Sequence, residues 1–320
     1  MIKILIIRLS SLGDIIHTFP MVNDIKSNFN NVEIDWLVDD SFKELIKFNK
    51  NIKNIYSIAL RKNKKDKFKI IKELVKLKKI LEDTYYDYII DSQGLIKSSI
   101  LTRFIKGKSY GFSFFSIKEK LASFFYNNSI YVTKDIKATI RYRKLAQKIF
   151  KYDLDIKNNV NFGLNNNKDI KHNNLIIFFH ATSDKNKKYP FSQTINLLNK
   201  ILLNYKYNIL LPYGNNKEYE ESIKIKEHLI NQELVIVPSQ IYNYSDMYDM
   251  IKNSVFIIGV DTGLLHLSNA LNKNLIALYV STDPNKTGII ETENSVNLGG
   301  INLIPSSDEV FELFVKLLNK

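Results

Sequence analysis

Apolar and polar positions along this chain fall into short, alternating blocks. Ile4-Leu5-Ile6-Ile7 is a continuous apolar run that stops at Ser10-Ser11-Leu12-Gly13-Asp14, the pattern of a buried strand ending in a polar turn. A helical stretch follows over residues 15–29, with Pro20 near its first turns. Residues 32–38, which include the only tryptophan, Trp36, and residues 55–60 read as strands. Residues 68–83 carry helical spacing at Ile70, Ile71, Leu74, Leu77, Ile80 and Leu81. Residues 86–90 form another apolar strand, ending in Asp91-Ser92-Gln93-Gly94, with a helix over 95–105. Strands alternating with helices predict a parallel sheet covered on both faces.

Over residues 152–174 the composition turns polar and loses periodicity, around Asn165-Asn166-Asn167-Lys168-Asp169, which predicts a linker. Alternation then resumes. Strands are expected at 175–179, 208–212, 234–237, 255–260 and 275–280. Helices are expected at 193–203, 218–230, 244–253 and 264–271. The chain closes with an amphipathic helix over 307–318, for which Ser307 or Asp308 is a suitable N-cap. Its 320 residues are comfortable for two domains of ordinary size.

The absence of cysteine excludes disulfides, thiolate chemistry and Cys-ligated metal. The N-terminal apolar run is too short for a signal peptide, and no apolar run is long enough to span a bilayer. The formal charge of +13 reflects either a Lys-, Asn- and Ile-rich composition or an anionic partner, which would be a phosphorylated small molecule, an anionic lipid surface or nucleic acid. The dense cluster Arg61-Lys62-Asn63-Lys64-Lys65-Asp66-Lys67 lacks interleaved aromatics for stacking bases, which argues against nucleic acid.

Four places could carry chemistry. Asp14, at the end of the first strand, suits a general base and equally suits a helix cap. Asp261-Thr262-Gly263-Leu264-Leu265-His266 joins a strand to a helix whose first N–H groups can bind phosphate, although a capped buried helix looks the same. His180-Ala181-Thr182-Ser183, with Lys185, Lys187 and Lys188 behind it, offers hydroxyls and ammonium groups to a diphosphate, or is a solvated basic loop. Leu211-Pro212-Tyr213-Gly214 precedes Glu218, an acid placed for ribose hydroxyls or for its own helix N-terminus. Five scattered histidines show no paired spacing, so no metal site is expected, and neither dinucleotide nor P-loop glycine motifs are present.

In order along the chain, these motifs resemble those of the bacterial lipopolysaccharide heptosyltransferases, glycosyltransferase family 9, and its type I members above all. The resemblance rests on residues 10–14 with His17-Thr18-Phe19-Pro20, Asp35-Trp36-Leu37-Val38, and Ile90-Asp91-Ser92-Gln93-Gly94-Leu95-Ile96-Lys97-Ser98. It continues through Leu121-Ala122-Ser123-Phe124-Phe125-Tyr126, His180-Ala181-Thr182-Ser183 and Leu211-Pro212-Tyr213-Gly214. It ends with residues 261–266 and Thr282-Asp283-Pro284.

The resemblance implies an α/β fold of the GT-B type, two Rossmann-like domains facing across a central cleft. Residues 1–160 would bind acceptor, residues 161–306 would bind donor, and 307–320 would form a closing helix. It implies inverting, metal-independent transfer of L-glycero-D-manno-heptose from ADP-heptose, a substrate and not a cofactor, onto Kdo of lipid A, at the cytoplasmic face of the inner membrane; the alternatives are a type II enzyme adding heptose to heptose and a catalytically inactive sugar-nucleotide-binding scaffold. Asp14 would be the base and Lys187 would hold the donor phosphates. Thr182, Ser183, Glu218, Asp261, Thr262, Gly263 and His266 would complete the donor site. Ser11, Gly13, Arg61, Lys62, Gln93, Lys97, Arg141 and Arg143 would meet the acceptor. The chain departs from the family pattern at Val280-Ser281, which stand for Gly-Pro, at Lys188-Tyr189, which stand for His-Trp, and at Lys137, which stands for a histidine ahead of the acceptor-side arginines.

Overall fold

The computed structural model describes residues 1–154, 160–164, 174–182 and 184–320. The chain divides into two compact units, Met1–Asn165 and Asn166–Lys320. The expected linker at residues 165–169 lies outside the described residues.

In the first unit the order is β1 (Ile2–Ile7), α1 (Leu12–Asn28), β2 (Val32–Asp39), α2 (Lys43–Ile46), β3 (Ile55–Ile58), α3 (Lys67–Ile80), β4 (Tyr85–Asp91), α4 (Ile96–Leu101), β5 (Lys106–Phe112), β6 (Asn128–Ile130) and α5 (Ala138–Phe150). The sheet runs β3-β2-β1-β4-β5-β6 with every pair parallel. Ile4 to Ile7 and all of β2 are buried, as central strands covered by helices on both faces must be. Leu5, Ile7, Leu37 and Ile89 pack with Leu77 and Leu81 at the end of α3 and Leu101 of α4.

The second unit repeats the plan: β7 (Leu175–Phe179), α6 (Phe191–Asn204), β8 (Asn208–Leu210), α7 (Asn216–Glu227), β9 (Val235–Ile236), α8 (Tyr244–Asn253), β10 (Phe256–Val260), α9 (Gly263–Ala270), β11 (Leu275–Tyr279), α10 (Pro284–Thr287), β12 (Ser295–Gly299) and α11 (Ser307–Leu318). Its parallel sheet is ordered β12-β11-β10-β7-β8-β9. Val310, Phe314 and Leu317 of α11 join Phe256, Ile258 and Ile276 in one core, so the closing helix is integral to this unit.

Three strands are not among those expected from the sequence: β5, β6 and β12. Their Lys, Asn, Ser and Gly content lacks an apolar run, and pairing with a neighbour supplies what propensity does not. α1 starts three residues before the sequence pattern suggests. Both the N–H and the hydroxyl of Ser11 donate to the Asp14 carboxylate, which fixes the first turn. α11 is capped by Ser306, not Ser307 or Asp308. Its hydroxyl accepts from the Glu309 N–H, and the Glu309 carboxylate accepts from the Ser306 N–H in return.

Candidate active site

Numbered from its own first strand, each sheet has the order 3-2-1-4-5-6, which reverses between strands 1 and 4. Ligands of such sheets bind outside the carboxyl ends of the strands at that reversal. In the first unit the reversal lies between β1 and β4, in the second between β7 and β10. The two groups of residues picked out in the sequence stand at these ends.

At the first reversal, the segments after β1 and β4 are tied together. The Gln93 side-chain carbonyl accepts from the Leu9 N–H at 2.8 Å, and its amide donates to Ser10 Oγ at 3.4 Å. The Arg8 guanidinium donates to the Ser92 carbonyl and lies 4.4 Å from the Tyr142 ring centre. Tyr142 on α5 donates its hydroxyl to Asp14 Oδ1 at 3.2 Å, while Ser11 holds Oδ2. Burial alone would raise the Asp14 pKa. The Arg8 charge, then His17 and the Ser11 hydrogen bonds, outweigh that cost and hold the carboxyl below its usual value. Asp14 is therefore a half-buried, ionised carboxylate whose two oxygens are held by different elements.

Arg8 and Tyr142 were not singled out in the sequence. A cation directly after a fully apolar strand was the available signal for Arg8. Tyr142 sits between two arginines that were noticed. Those arginines separate. Arg141 lies 3.9 Å from the Phe112 ring centre and donates to the Ser116 carbonyl, and burial lowers its pKa. Arg143, expected to meet an acceptor, is buried, and its guanidinium grips both oxygens of Asp24 on α1 at 2.7 and 3.0 Å. That fork is a helix–helix fastening, since a bidentate pair at this burial is costly to break. Gly13 lies in the first turn of α1, and Arg61, Lys62 and Lys97 are exposed.

At the second reversal, Lys187 Nζ lies 2.7 Å from Asp261 Oδ2, which also accepts from the Thr282 hydroxyl at 3.0 Å. The Thr182 hydroxyl donates to the Asp261 carbonyl at 3.1 Å. One short region thus joins the ends of β7, β10 and β11. Thr262 stands at the N-cap of α9 with no side-chain bond to the helix, leaving early N–H groups available to an anion. His266 is buried one turn into α9. Ser183 lies outside the described residues. Glu218 accepts from the Gly214 N–H at 2.7 Å and so closes its own turn. His180 is buried, with Nε2 2.8 Å from Ser222 Oγ, and burial lowers its pKa to about 4. Among the described residues, no three His, Asp or Glu side chains form a metal-ligand set.

A family model described as glycosyltransferase family 9 (heptosyltransferase) matches residues 74–310. The chain belongs to glycosyltransferase family 9. It is 32% identical to lipopolysaccharide heptosyltransferase 1 of Campylobacter coli, over 88% of this chain and 84% of that one. It is 29% identical to the protein of the same name from Escherichia coli strain K12, over 89% and 90%. The E. coli heptosyltransferase WaaC solved with ADP superposes with a TM-score of 0.88 at 26% identity, over 99% of this chain and all of that one. The fold of this family 9 chain is accordingly GT-B, built from two Rossmann-like domains.

The family departures have structural counterparts. Val280 follows β11 and is buried in the core of the second unit. Lys188 is ion-paired with Glu221 on α7. Lys137 stands at the N-cap of α5.

Proposed function

We propose that this family 9 glycosyltransferase moves L-glycero-D-manno-heptose from ADP-heptose onto Kdo of the lipid A inner core. The observation that carries the reading is the complementary chemistry of the two strand-order reversals. One presents an ionised, half-buried carboxylate, the other a lysine, two threonines and a helix N-terminus suited to a diphosphate. The relatives named lipopolysaccharide heptosyltransferase 1 support the choice of acceptor. The WaaC structure solved with ADP-2-deoxy-2-fluoro heptose supports the choice of donor.

In the proposed reaction Asp14 takes the proton of the acceptor hydroxyl as its oxygen attacks the anomeric carbon. The bond to ADP breaks on the opposite face, and the centre inverts. Asp14, held below the usual carboxylate pKa, is a weak base. Much of the driving force then falls to the leaving group, whose growing charge meets Lys187 and the α9 N–H groups without a metal ion. Asp261 orients Lys187, and Thr182, Ser183, Glu218, Thr262, Gly263 and His266 complete the donor site. Ser11, Gly13, Arg61, Lys62, Gln93, Lys97 and Arg141 serve the acceptor. No described helix is long and apolar enough to cross a membrane. We place the enzyme peripherally on the cytoplasmic face of the inner membrane, drawn there by its basic charge.

The test is transfer followed by mass spectrometry, with ADP-L-glycero-D-manno-heptose, Kdo-lipid A and EDTA. One heptose added, with ADP released, is the expected result. Transfer only to a core that already carries heptose would move the enzyme to the second heptosyltransferase type. No product on either acceptor would overturn the reading.

A further inference from the structure

The first unit holds a cavity whose margin includes Arg61 and Lys97, already given to the acceptor, and whose apolar interior the proposed chemistry leaves without a task. It has a volume of about 660 Å³, within the size range of small-ligand sites, and it lies between α3 and α4. Leu60, Ile70, Leu74 and Leu101 give it apolar walls, and Arg61, Lys64 and Lys97 give it a cationic margin. No acid lines it. Neighbouring carboxylates in the sequence have partners of their own: Asp39 accepts from the Arg61 N–H, Asp66 from the Lys69 N–H while pairing with its ammonium, and Glu73 from the Ala59 N–H. Apolar walls under three cations match an anionic amphiphile, with the chain inside and the charged head at the margin.

The helix above the cavity is apolar on two sides. Ile70 and Leu74 face the cavity, while Phe68, Ile71 and Val75 are exposed at 81%, 56% and 63%. Lysines 65, 69, 72, 76 and 79 flank that outer stripe. A basic helix with an exposed apolar stripe rests at the boundary between lipid headgroups and acyl chains. A chain leaving the bilayer at that boundary would meet the cavity at once.

We propose that this cavity takes one fatty acyl chain of the acceptor lipid, with Arg61, Lys64 and Lys97 holding its anionic head. The proposal rests on the reading of the acceptor given above. Its consequence is that the enzyme grips the lipid portion of its acceptor as well as the sugar, and draws that portion partly out of the membrane.

Two measurements test it. The first is calorimetric titration with dodecyl phosphate below its micelle-forming concentration, against inorganic phosphate as control. Saturable binding of one dodecyl phosphate per chain is expected, with none for inorganic phosphate over the same range. Leu74→Trp, which fills the cavity, weakens it by roughly tenfold, the worth of a few buried methylenes. Ile100→Trp fills the same space from α4 and guards against a folding defect in the first variant. Unsaturable binding, or binding unchanged in both variants, would overturn the site. The second is kcat/KM on Kdo-lipid A and on its fully deacylated form. Both variants should lose efficiency on the acylated acceptor alone. Equal losses on the two acceptors would overturn the acyl chain as the occupant. Absence of turnover on either would sink the proposed reaction and the acceptor as the source of the chain, while the titration would still decide the cavity.

Discussion

Asp14 shows how one residue can be both cap and reagent. Its Oδ2 fixes the start of α1 through Ser11, and Oδ1 accepts from the Tyr142 hydroxyl. Asp14→Asn should keep the fold and donor binding and lower kcat by about 10²–10⁴-fold, the usual worth of a positioned base. Turnover near the parent rate would remove Asp14 from that role. Arg8 supplies the largest effect favouring the ionised form, so Arg8→Gln should raise the Asp14 pKa. The acidic limb of the pH–rate profile then moves to higher pH; a limb that stays put would show that Arg8 does not govern the base. His180 gives a second pH signature. Its pKa falls from 6.5 to about 4 on folding, so the unfolded chain binds the extra proton between those values. Its contribution to stability is complete above pH 6.5 and is lost as pH falls towards 4, by roughly 3 kcal/mol in all. His180→Gln should flatten the thermal midpoint across that window, and an equally steep decline would contradict the assignment.

Residue type and spacing alone could not separate Asp91 from Asp261. Asp91 ends the fourth strand of its unit and Asp261 directly follows that of the other, and each precedes a hydroxyl residue and a glycine. Asp91 is fully buried. It accepts from the Gln93 and Gly94 N–H groups and from the Ser98 and Tyr126 hydroxyls, and is consumed by its own loop. Asp261 meets a lysine and a threonine from other strand ends. The difference lies in residues up to 74 positions away, which no local pattern contains.

At the scale of elements, central strands were legible because burial on both faces leaves a continuous apolar run, as in β1, β2, β7, β10 and β11. β5, β6 and β12 were not, because their sequences are mixed: β6 and β12 lie at sheet edges with one flank unpaired, and β5, although internal, lacks an apolar run, whereas the edge strands β3 and β9 were legible from their apolar residues. β5 and β12 also carry glycines that side chains would obstruct. A Cβ on Gly111 would lie 2.2 Å from the Tyr126 ring. Helix α11 was legible from its apolar spacing, and its energetic role follows from packing. Phe314 stacks edge-on against Phe256 with ring centres 4.7 Å apart and is fully buried. Phe314→Ala should destabilise the second unit by about 3–5 kcal/mol in denaturant unfolding. A cost below about 1 kcal/mol would show that α11 is not part of that core.

At the scale of the molecule, charge acts in a way no single pair does. The excess of 13 positive charges, with the exposed Phe68, Ile71 and Val75 among lysines, predicts adhesion to anionic surfaces. Co-sedimentation with vesicles containing phosphatidylglycerol should be strong at low salt and fall steeply as ionic strength rises. Equal binding to neutral vesicles would assign the adhesion to the apolar stripe alone.

The repeated sheet order has one more consequence. The proposed base follows the first strand of one unit and the proposed phosphate lysine follows the first strand of the other, so under the proposed function each substrate is read by a separate copy of one architecture. Because the cores are distinct, selection can alter one specificity without repacking the other. Chimeras that exchange whole halves between family members at the junction near residue 165 are therefore a natural way to build enzymes with new pairings of sugar and lipid.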